Sequence, residues 1–229
     1  MTTAQSAVRY SSEALSRGRA VCLISGGIDS PVALWLVIRS SIVPIGLFFD
    51  SYPLSDRRAR EIALQGIRKV REYSRAPPIK TYVVGHAPDV SDIISSCQRN
   101  LTCVISRRMM LRIACEIARR ESADSIVTGD VIGQKASQTL HNILATDSAT
   151  AGLPVIRPLV GMNKHEIELL ARTIGTFEIS TSPGVAACGI LTRKPRTHSH
   201  VEEIVESESH LDLDRMVKRA IEHVEFTEI

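Results

Sequence analysis

The sequence predicts an α/β fold, in which a Rossmann-like parallel sheet of about five strands carries helices on both faces. Short, mostly apolar segments alternate with longer segments of helical periodicity, a pattern typical of successive βαβ units. Hydrophobic residues make up 44% of the 229 residues but aromatic residues only 4%. The core must therefore be aliphatic, as in sheets that are buried on both faces. The length suits one domain of this class.

The strands are predicted from short apolar runs that end at turn-forming residues. The first run precedes Ser-Gly-Gly, the second ends at an aspartate, and proline or glycine bounds most of the others. The last of them is very short. In chain order, the predicted strands are 20–24, 42–49, 79–84, 124–128 and 155–156.

Amphipathic segments fill the intervals between these strands. Pro31 suits a first helical turn, with Asp29 or Ser30 able to cap it. The segment 163–166 has the spacing of a capping box, and Gly175 is a natural stop for the helix that follows. The predicted helices are 32–39, 55–73, 89–97, 105–121, 163–174 and a charged stretch over about 200–227.

Composition excludes several classes of protein. The net charge of +3 is too small to indicate nucleic-acid binding by itself. No apolar run approaches the ~20 residues of a membrane span, and the N-terminus lacks the apolar region of a secretory signal. We therefore expect a cytoplasmic protein with no membrane partner, whose five cysteines are reduced thiols. None forms a CxxC pair, which argues against an ordinary zinc site.

The turn SGGIDS (25–30) between the first strand and the first helix predicts a phosphate site. Its glycines let the backbone approach a ligand, and the helix start offers free N–H groups and the positive end of the helix dipole. Neither GxxxxGK[ST] nor GxGxxG is present. Asp29 would repel a bare phosphate, so it suits a Mg²⁺ ion that bridges the carboxylate to pyrophosphate oxygens. An ordinary strand–helix turn is the alternative for these residues alone.

The turn also resembles the PP-loop of the ATP pyrophosphatase superfamily, whose members have the adenine nucleotide alpha hydrolase-like fold. These enzymes cleave ATP between the α and β phosphates and transfer AMP to a substrate oxygen. Later blocks resemble, in order, the ThiI-type tRNA sulfurtransferases, which make 4-thiouridine in tRNA and are linked to thiamine biosynthesis. The blocks are FFDSYPLSDRRARE (48–61), SRRMMLRIACEIA (106–118), TGDVIGQKASQTLHNI (128–143), RPLVGMNKHEIELLARTIGT (157–176) and Cys188-Gly189-Ile190 before KPRT (194–197).

The resemblance implies roles for single residues. The apolar positions at the first two strand ends are interpreted as an adenine slot or as core packing, and the turn as the holder of pyrophosphate and Mg²⁺. The alternative for Arg107 is a solvated helix charge. Cys188 matches the sulfur-transfer cysteine of the family, and its alternative is a small buried apolar residue. The implied ATP-binding residues are Leu23, Ile24, Ser25, Gly26, Gly27, Asp29, Ser30, Phe48, Phe49, Arg107, Gly129 and Gln138.

The implied activity is ATP-dependent thiolation of tRNA, with Asp29 and Cys188 as catalytic residues. The uridine O4 would be adenylated, and a Cys188 persulfide or external sulfide would then replace it, with release of AMP and pyrophosphate. A cysteine desulfurase or sulfide would supply the sulfur. Two hypotheses stay open beside this one. The first is an amidotransferase-like PP-loop enzyme that adenylates a small molecule, and the second is a non-catalytic subunit that binds adenine nucleotides.

The chain departs from the family pattern at both ends and beside Cys188. We expect neither a THUMP nor a rhodanese domain, so tRNA recognition would need a separate THUMP-type protein, a homodimer surface or basic residues such as those of 57–71. Val185 and Ala187 leave Cys188 alone, which argues against an iron–sulfur cluster. The expected parts are an N-terminal extension (1–18), the PP-loop domain (19–198) and a helical C-terminal tail (199–229).

Overall fold

The computed structural model describes residues 18–73, 77–182 and 194–229, and these form a six-stranded sheet between two layers of helices. The strands are β1 (Arg19–Ile24), β2 (Val43–Asp50), β3 (Lys80–Gly85), β4 (Ser125–Val127), β5 (Val155–Ile156) and β6 (Glu225–Glu228). Their order in the sheet is β5-β4-β1-β2-β3-β6. Strands β1 to β5 pair in parallel, and β6 pairs antiparallel with β3. The predicted parallel α/β fold is confirmed.

The helices connect these strands and cover both faces of the sheet. Consecutive residues in a strand point to opposite faces, and each face carries its own hydrophobic cluster. One cluster joins the sheet to α3, α4 and α9, and the other joins it to α1, α2 and α6. The helices are α1 (Asp29–Arg39), α2 (Ala59–Arg71), α3 (Ala87–Ser96), α4 (Thr102–Glu121), α5 (Leu140–Asp147), α6 (Lys164–Thr173), α7 (Phe177–Ser180), α8 (Val201–Glu208) and α9 (Leu213–Glu222).

Helix α6 starts and stops as its sequence predicts. The N–H of Asn163 donates to Glu166 Oε2 at 2.7 Å, and the N–H of Glu166 donates to Asn163 Oδ1 at 3.0 Å. These two bonds form the predicted capping box. The chain leaves the helix at Gly175, whose φ of +72° is readily adopted only by glycine.

The C-terminal segment 199–229 differs from the prediction of a purely helical tail. It contains α8 and α9, but its last residues form β6 at the edge of the sheet. Ile204 from α8 and Met216 and Ile221 from α9 are buried in the cluster that includes α4. The segment therefore contributes to the same core as the preceding strands. No helix in the described part of the chain is long and apolar enough to cross a membrane.

Strand β1 lies at the point where the order of the strands reverses. The chain continues from β1 to β2 and β3 on one side, whereas β4 and β5 lie on the other. Open α/β sheets bind ligands at such a switch point, outside the carboxyl ends of the strands. The turn 25–30 follows β1 and Gly129 lies just beyond β4, so both are at this crevice.

Candidate active site

The two serines of the turn 25–30 bond to each other and close it. The N–H of Ser25 donates to Ser30 Oγ at 2.8 Å, and that hydroxyl donates to the carbonyl of Ser25 at 3.1 Å. The N–H of Gly27 donates to Ser25 Oγ at 3.3 Å. From the other side, Ser180 Oγ of α7 donates to the carbonyl of Gly27 at 3.2 Å. The serines predicted to contact phosphate thus also hold the turn in shape.

Helix α1 begins without a side-chain cap. Its N-cap residue is Ile28, and neither Asp29 nor Ser30 caps it, which corrects the prediction. Ser30 is instead used by the turn. Because the first N–H groups of a helix have no intrahelical acceptor and lie at the positive end of its dipole, the start of α1 is suited to an anion such as phosphate.

Gly129 lets the end of β4 lie directly against the start of α1. A Cβ atom at this residue would lie 2.8 Å from the backbone nitrogen of Ser30 and 3.0 Å from the carbonyl carbon of Asp29. Both neighbours are backbone atoms, which cannot rotate away as a side chain can. Only glycine fits here, whether or not the residue also contacts a nucleotide.

Asp29 is partly buried on the first turn of α1. Burial raises the pKa of its carboxyl above the ordinary value, Asp130 adds to this effect, and the positive charges of Lys135 and Lys164 oppose it. The sequence prediction missed both lysines, which are exposed. Both lysines lie in blocks that resemble the family, 128–143 and 157–176, and this position could have marked them as candidate site residues. Together they give this carboxylate a partly positive environment, suited to a polyphosphate.

Asp130 is the centre of a hydrogen-bonded network behind this turn. Its carboxylate accepts two bonds from Arg107 Nη2, at 2.7 and 2.6 Å. Thr128 Oγ1 donates to it at 2.7 Å and Gln138 Nε2 at 3.1 Å. Arg157 Nε donates at 3.3 Å. Asp130 was not among the site residues predicted from the sequence, although an acid directly after Gly129 was a usable signal.

The network fixes the charge of Asp130 and the direction of its partners. Burial by itself raises the pKa of this carboxyl, but the charge of Arg107, the bonds from Thr128 and Gln138 and the charge of Arg157 hold it well below the usual range. The ionised carboxylate therefore orients Arg107 and Gln138, two of the predicted nucleotide contacts. Gln138 Oε1 is buried and makes no hydrogen bond to the described residues. It is an acceptor suited to a ligand N–H or O–H group.

The four apolar residues assigned to adenine do not line one slot. Leu23 and Phe49 lie in one hydrophobic cluster, whereas Ile24 and Phe48 lie in the other. All four are buried, because strand alternation sends them to opposite faces of the sheet. At the carboxyl ends of β1 and β2, mainly backbone N–H and C=O groups are therefore accessible to a nucleotide.

The second predicted catalytic residue, Cys188, lies outside the described residues. The other four cysteines, Cys22, Cys97, Cys103 and Cys115, can be placed. Burial raises the pKa of Cys22 to about 12 and that of Cys115 to about 11, and it also raises the pKa of Cys97. Since the thiolate is the nucleophile, these three are poor candidates for sulfur transfer at neutral pH.

The residues at the site fit a magnesium ion only in a limited sense. Across 18–73, 77–182 and 194–229, no three or more His, Cys, Asp and Glu side chains are grouped to hold a metal by themselves. Magnesium, however, keeps several waters and takes ligands from substrate phosphates, so that one or two carboxylates suffice. Asp29 meets that lesser requirement.

The turn SGGIDS, which leads into an uncapped helix at the switch point of a parallel sheet, is the arrangement expected of an α/β protein with the PP-loop fold. The chain belongs to the family described as thiamine biosynthesis protein (ThiI), whose sequence model matches residues 15–213. The family predicted from the motifs is therefore confirmed.

The curated relatives are named as probable tRNA sulfurtransferases. That of Methanosarcina mazei is 36% identical over 206 residues, which are 90% of this chain and 50% of the relative. That of Caldanaerobacter subterraneus subsp. tengcongensis is 37% identical over 211 residues, which are 91% of this chain and 54% of the relative. The chain thus spans about half the length of the curated relatives it matches.

Solved structures support the same fold. A 4-thiouridine synthetase, crystallised in complex with RNA and with bound ATP, aligns with a TM-score of 0.88 and 34% identity, over 93% of this chain and 55% of that chain. An NMN synthetase from Francisella tularensis aligns with a TM-score of 0.55 and 15% identity, over 90% of this chain and 85% of that one. The second similarity shows the shared fold alone.

Proposed function

We propose that the chain is the ATP-using domain of a tRNA sulfurtransferase that forms 4-thiouridine. The observation that carries the proposal is the site between β1 and β4, where the uncapped start of α1 carries Asp29 and Asp130 orients Arg107 and Gln138. The similarity to a 4-thiouridine synthetase that binds ATP and RNA supports the choice of substrates. We infer that the tRNA itself, rather than a small molecule, receives the AMP.

Each part of the site has a task in binding ATP. The N–H groups at the start of α1 would bind phosphate oxygens, and the exposed Lys135 and Lys164 would reduce the repulsion between the phosphates and Asp29. The buried Gln138 Oε1 would accept a hydrogen bond from the nucleotide. Magnesium, held by Asp29 and the phosphates, would neutralise charge on the departing pyrophosphate.

The reaction then divides into two displacements. The uridine O4 attacks the α-phosphorus, the bond between the α-phosphorus and the bridging oxygen breaks, and pyrophosphate leaves. Sulfur next attacks C4, the bond between C4 and O4 breaks, and AMP leaves. With sulfide as the donor, loss of a proton completes 4-thiouridine. With a persulfide on Cys188, an external thiol would attack Cys188 Sγ, break the S–S bond and release the 4-thiouridine sulfur as a thiolate. A second external thiol would then reduce the mixed disulfide left on Cys188.

The variant Asp29→Asn tests the first displacement. We expect formation of AMP and pyrophosphate to fall by roughly 100-fold or more, because the neutral amide removes the charge that would hold the metal on the pyrophosphate. The melting temperature should change little, because the two side chains have the same shape. Quantifying AMP by chromatography, with tRNA and a sulfur donor present, measures the effect.

The matched control is Asp214→Asn, since Asp214 lies in the first turn of α9 and is exposed. It should retain the activity of the unmodified chain. Undiminished AMP formation by Asp29→Asn would contradict the role given to this carboxylate. AMP formation that requires ammonia and proceeds without RNA would instead favour the amidotransferase-like alternative.

The variant Cys188→Ala tests the second displacement separately. We expect AMP formation to persist and thiolation from a persulfide donor to be lost, whereas thiolation driven by free sulfide should continue. Mass spectrometry of the tRNA nucleosides distinguishes these outcomes, and Cys97→Ala is the control because the raised pKa of Cys97 makes it a poor nucleophile. Full thiolation by Cys188→Ala with the persulfide donor would exclude a covalent role for this cysteine.

A further inference from the structure

We propose that His141, His198 and His200 form a platform on which an unpaired base of the RNA substrate stacks beside the nucleotide site. The proposal depends on the proposed function for the identity of the RNA. The rings of His141 and His198 are stacked, with their centroids 3.6 Å apart and their planes 29° apart. The ring of His200 lies 5.1 Å from that of His198. All three histidines are exposed.

The backbone beneath this histidine platform is held by one buried amide. Asn142 is fully buried, and its Nδ2 donates to the carbonyls of Ala136 at 2.6 Å and Arg196 at 2.9 Å. Its Oδ1 accepts the N–H of Ser199 at 3.0 Å. The two stacked histidines directly precede Asn142 and Ser199 in sequence. Their exposed rings are therefore pre-organised, which lowers the entropy cost of binding a ligand on them.

The platform lies on two segments that lead to the chemistry of the site. Three residues before His141 is Gln138, which is bonded to Asp130 of the network. His198 follows Cys188 by ten residues in sequence. The platform is therefore close in sequence both to the nucleotide site, through Gln138, and to the proposed sulfur-transfer residue, Cys188.

The charges around the platform suit an RNA backbone. Arg99 and Lys194 are exposed, and the N–H of Arg196 donates to the carbonyl of Asn100 at 3.0 Å, which brings the segment with Arg99 alongside. The acid Glu203 at the start of α8 is paired with Arg196 at 2.6 Å. Cations next to exposed rings are typical of surfaces that bind single-stranded RNA, where bases stack on aromatic side chains and phosphates meet lysine or arginine.

A metal ion is the competing occupant of a histidine cluster. Stacked rings present their faces to one another rather than directing several ring nitrogens at one point. In the chain as described, no group of three or more candidate ligands has a geometry that could hold a metal. Desolvation lowers the pKa of His198, and the neighbouring His141, His200 and Arg196 lower it further, which favours the uncharged ring.

The test compares removal of the rings with replacement of their nitrogens. The double variant His141→Ala/His198→Ala should raise the Kd for a fluorescently labelled tRNA transcript by roughly 5- to 100-fold. The variant His141→Phe/His198→Phe keeps the aromatic faces and should bind within a few-fold of the unmodified chain. The control His223→Ala, on an exposed histidine after α9, should change nothing, and ATP binding without RNA should be the same for all four proteins.

Each outcome separates the platform from the function on which it depends. If the unmodified chain does not bind the transcript, the platform is overturned, whereas the proposed function is decided separately by AMP formation in the presence of tRNA. If it binds and the alanine variant binds equally well, the function stands and the platform is overturned. If the phenylalanine variant loses as much affinity for the transcript as the alanine variant, the histidines act through their nitrogens and stacking is overturned. The same follows if EDTA abolishes binding of the transcript by the unmodified chain.

Discussion

Replacing Gly129 with alanine is expected to abolish productive ATP binding. The added methyl carbon would lie 2.8 Å from the nitrogen of Ser30, so the start of α1 and the end of β4 must move apart. Asp29 begins α1 and Asp130 directly follows Gly129, and displacement of catalytic groups by about 1 Å can lower a rate by roughly 100-fold. We therefore expect AMP formation to fall at least that far, and titration calorimetry to show a matching loss of ATP affinity.

The control for this prediction is Gly85→Ala. Gly85 also ends a strand at the carboxyl edge of the sheet, but a Cβ atom there meets nothing within 4 Å, so the variant should bind ATP normally. Overpacking at Gly129 should also lower the free energy of unfolding by roughly 1–3 kcal/mol, which urea titration would measure. Unchanged ATP affinity in Gly129→Ala would show that the contact between β4 and α1 is not needed for the site.

Local sequence signals were sufficient to predict most of the sheet but not its last strand. The parallel strands are apolar because they are buried between two helical layers, and that property can be seen in a single segment. Strand β6 has four exposed residues, and it pairs with β3, which lies more than 140 residues earlier in the chain. Such pairing leaves no local pattern. Helix α5 was also missed, because only three of its eight residues are buried, so that its apolar pattern is weak.

The candidate site shows the same division between local and long-range information. The turn 25–30 could be predicted because its glycines, serines and acid are adjacent in sequence. The role of Asp130 depends on Arg107 and Arg157, which lie 23 and 27 residues away and reach it only through tertiary packing. The adenine slot, in contrast, could have been rejected from local sequence alone. Neighbouring residues of a strand point to opposite faces of the sheet, so Leu23 and Ile24 cannot line one slot.

The variant Asp130→Asn is expected to damage both stability and ATP binding. The amide can still bond to Gln138 and Thr128, but it carries no charge for Arg107 or for the largely buried side chain of Arg157. Breaking a buried ion pair by removing one partner costs roughly 3–5 kcal/mol in the free energy of unfolding. Loss of the carboxylate that orients Arg107 should also raise the Kd for ATP by roughly 10- to 100-fold, as titration calorimetry would show.

The pH dependence identifies the charge of Asp130 as the cause. Because its pKa in the folded chain lies below the value of about 3.9 expected in the unfolded chain, its contribution to stability is complete above that value and is lost as the pH falls through the folded pKa. The stability difference between the unmodified chain and Asp130→Asn, from urea unfolding, should therefore be constant from pH 7 to 5 and shrink towards pH 3.

Asp147→Asn is the matched control for Asp130→Asn, since Asp147 is more exposed and pairs with Arg157 at the edge of the network. It should cost about 1 kcal/mol or less and leave ATP affinity unchanged, because Arg107 and Gln138 keep their bonds to Asp130. Equal losses in both variants would mean that the network acts on the fold alone. A gain in ATP affinity in Asp130→Asn would mean that Asp130 restrains Arg107 from the nucleotide, the reverse of the role argued for it.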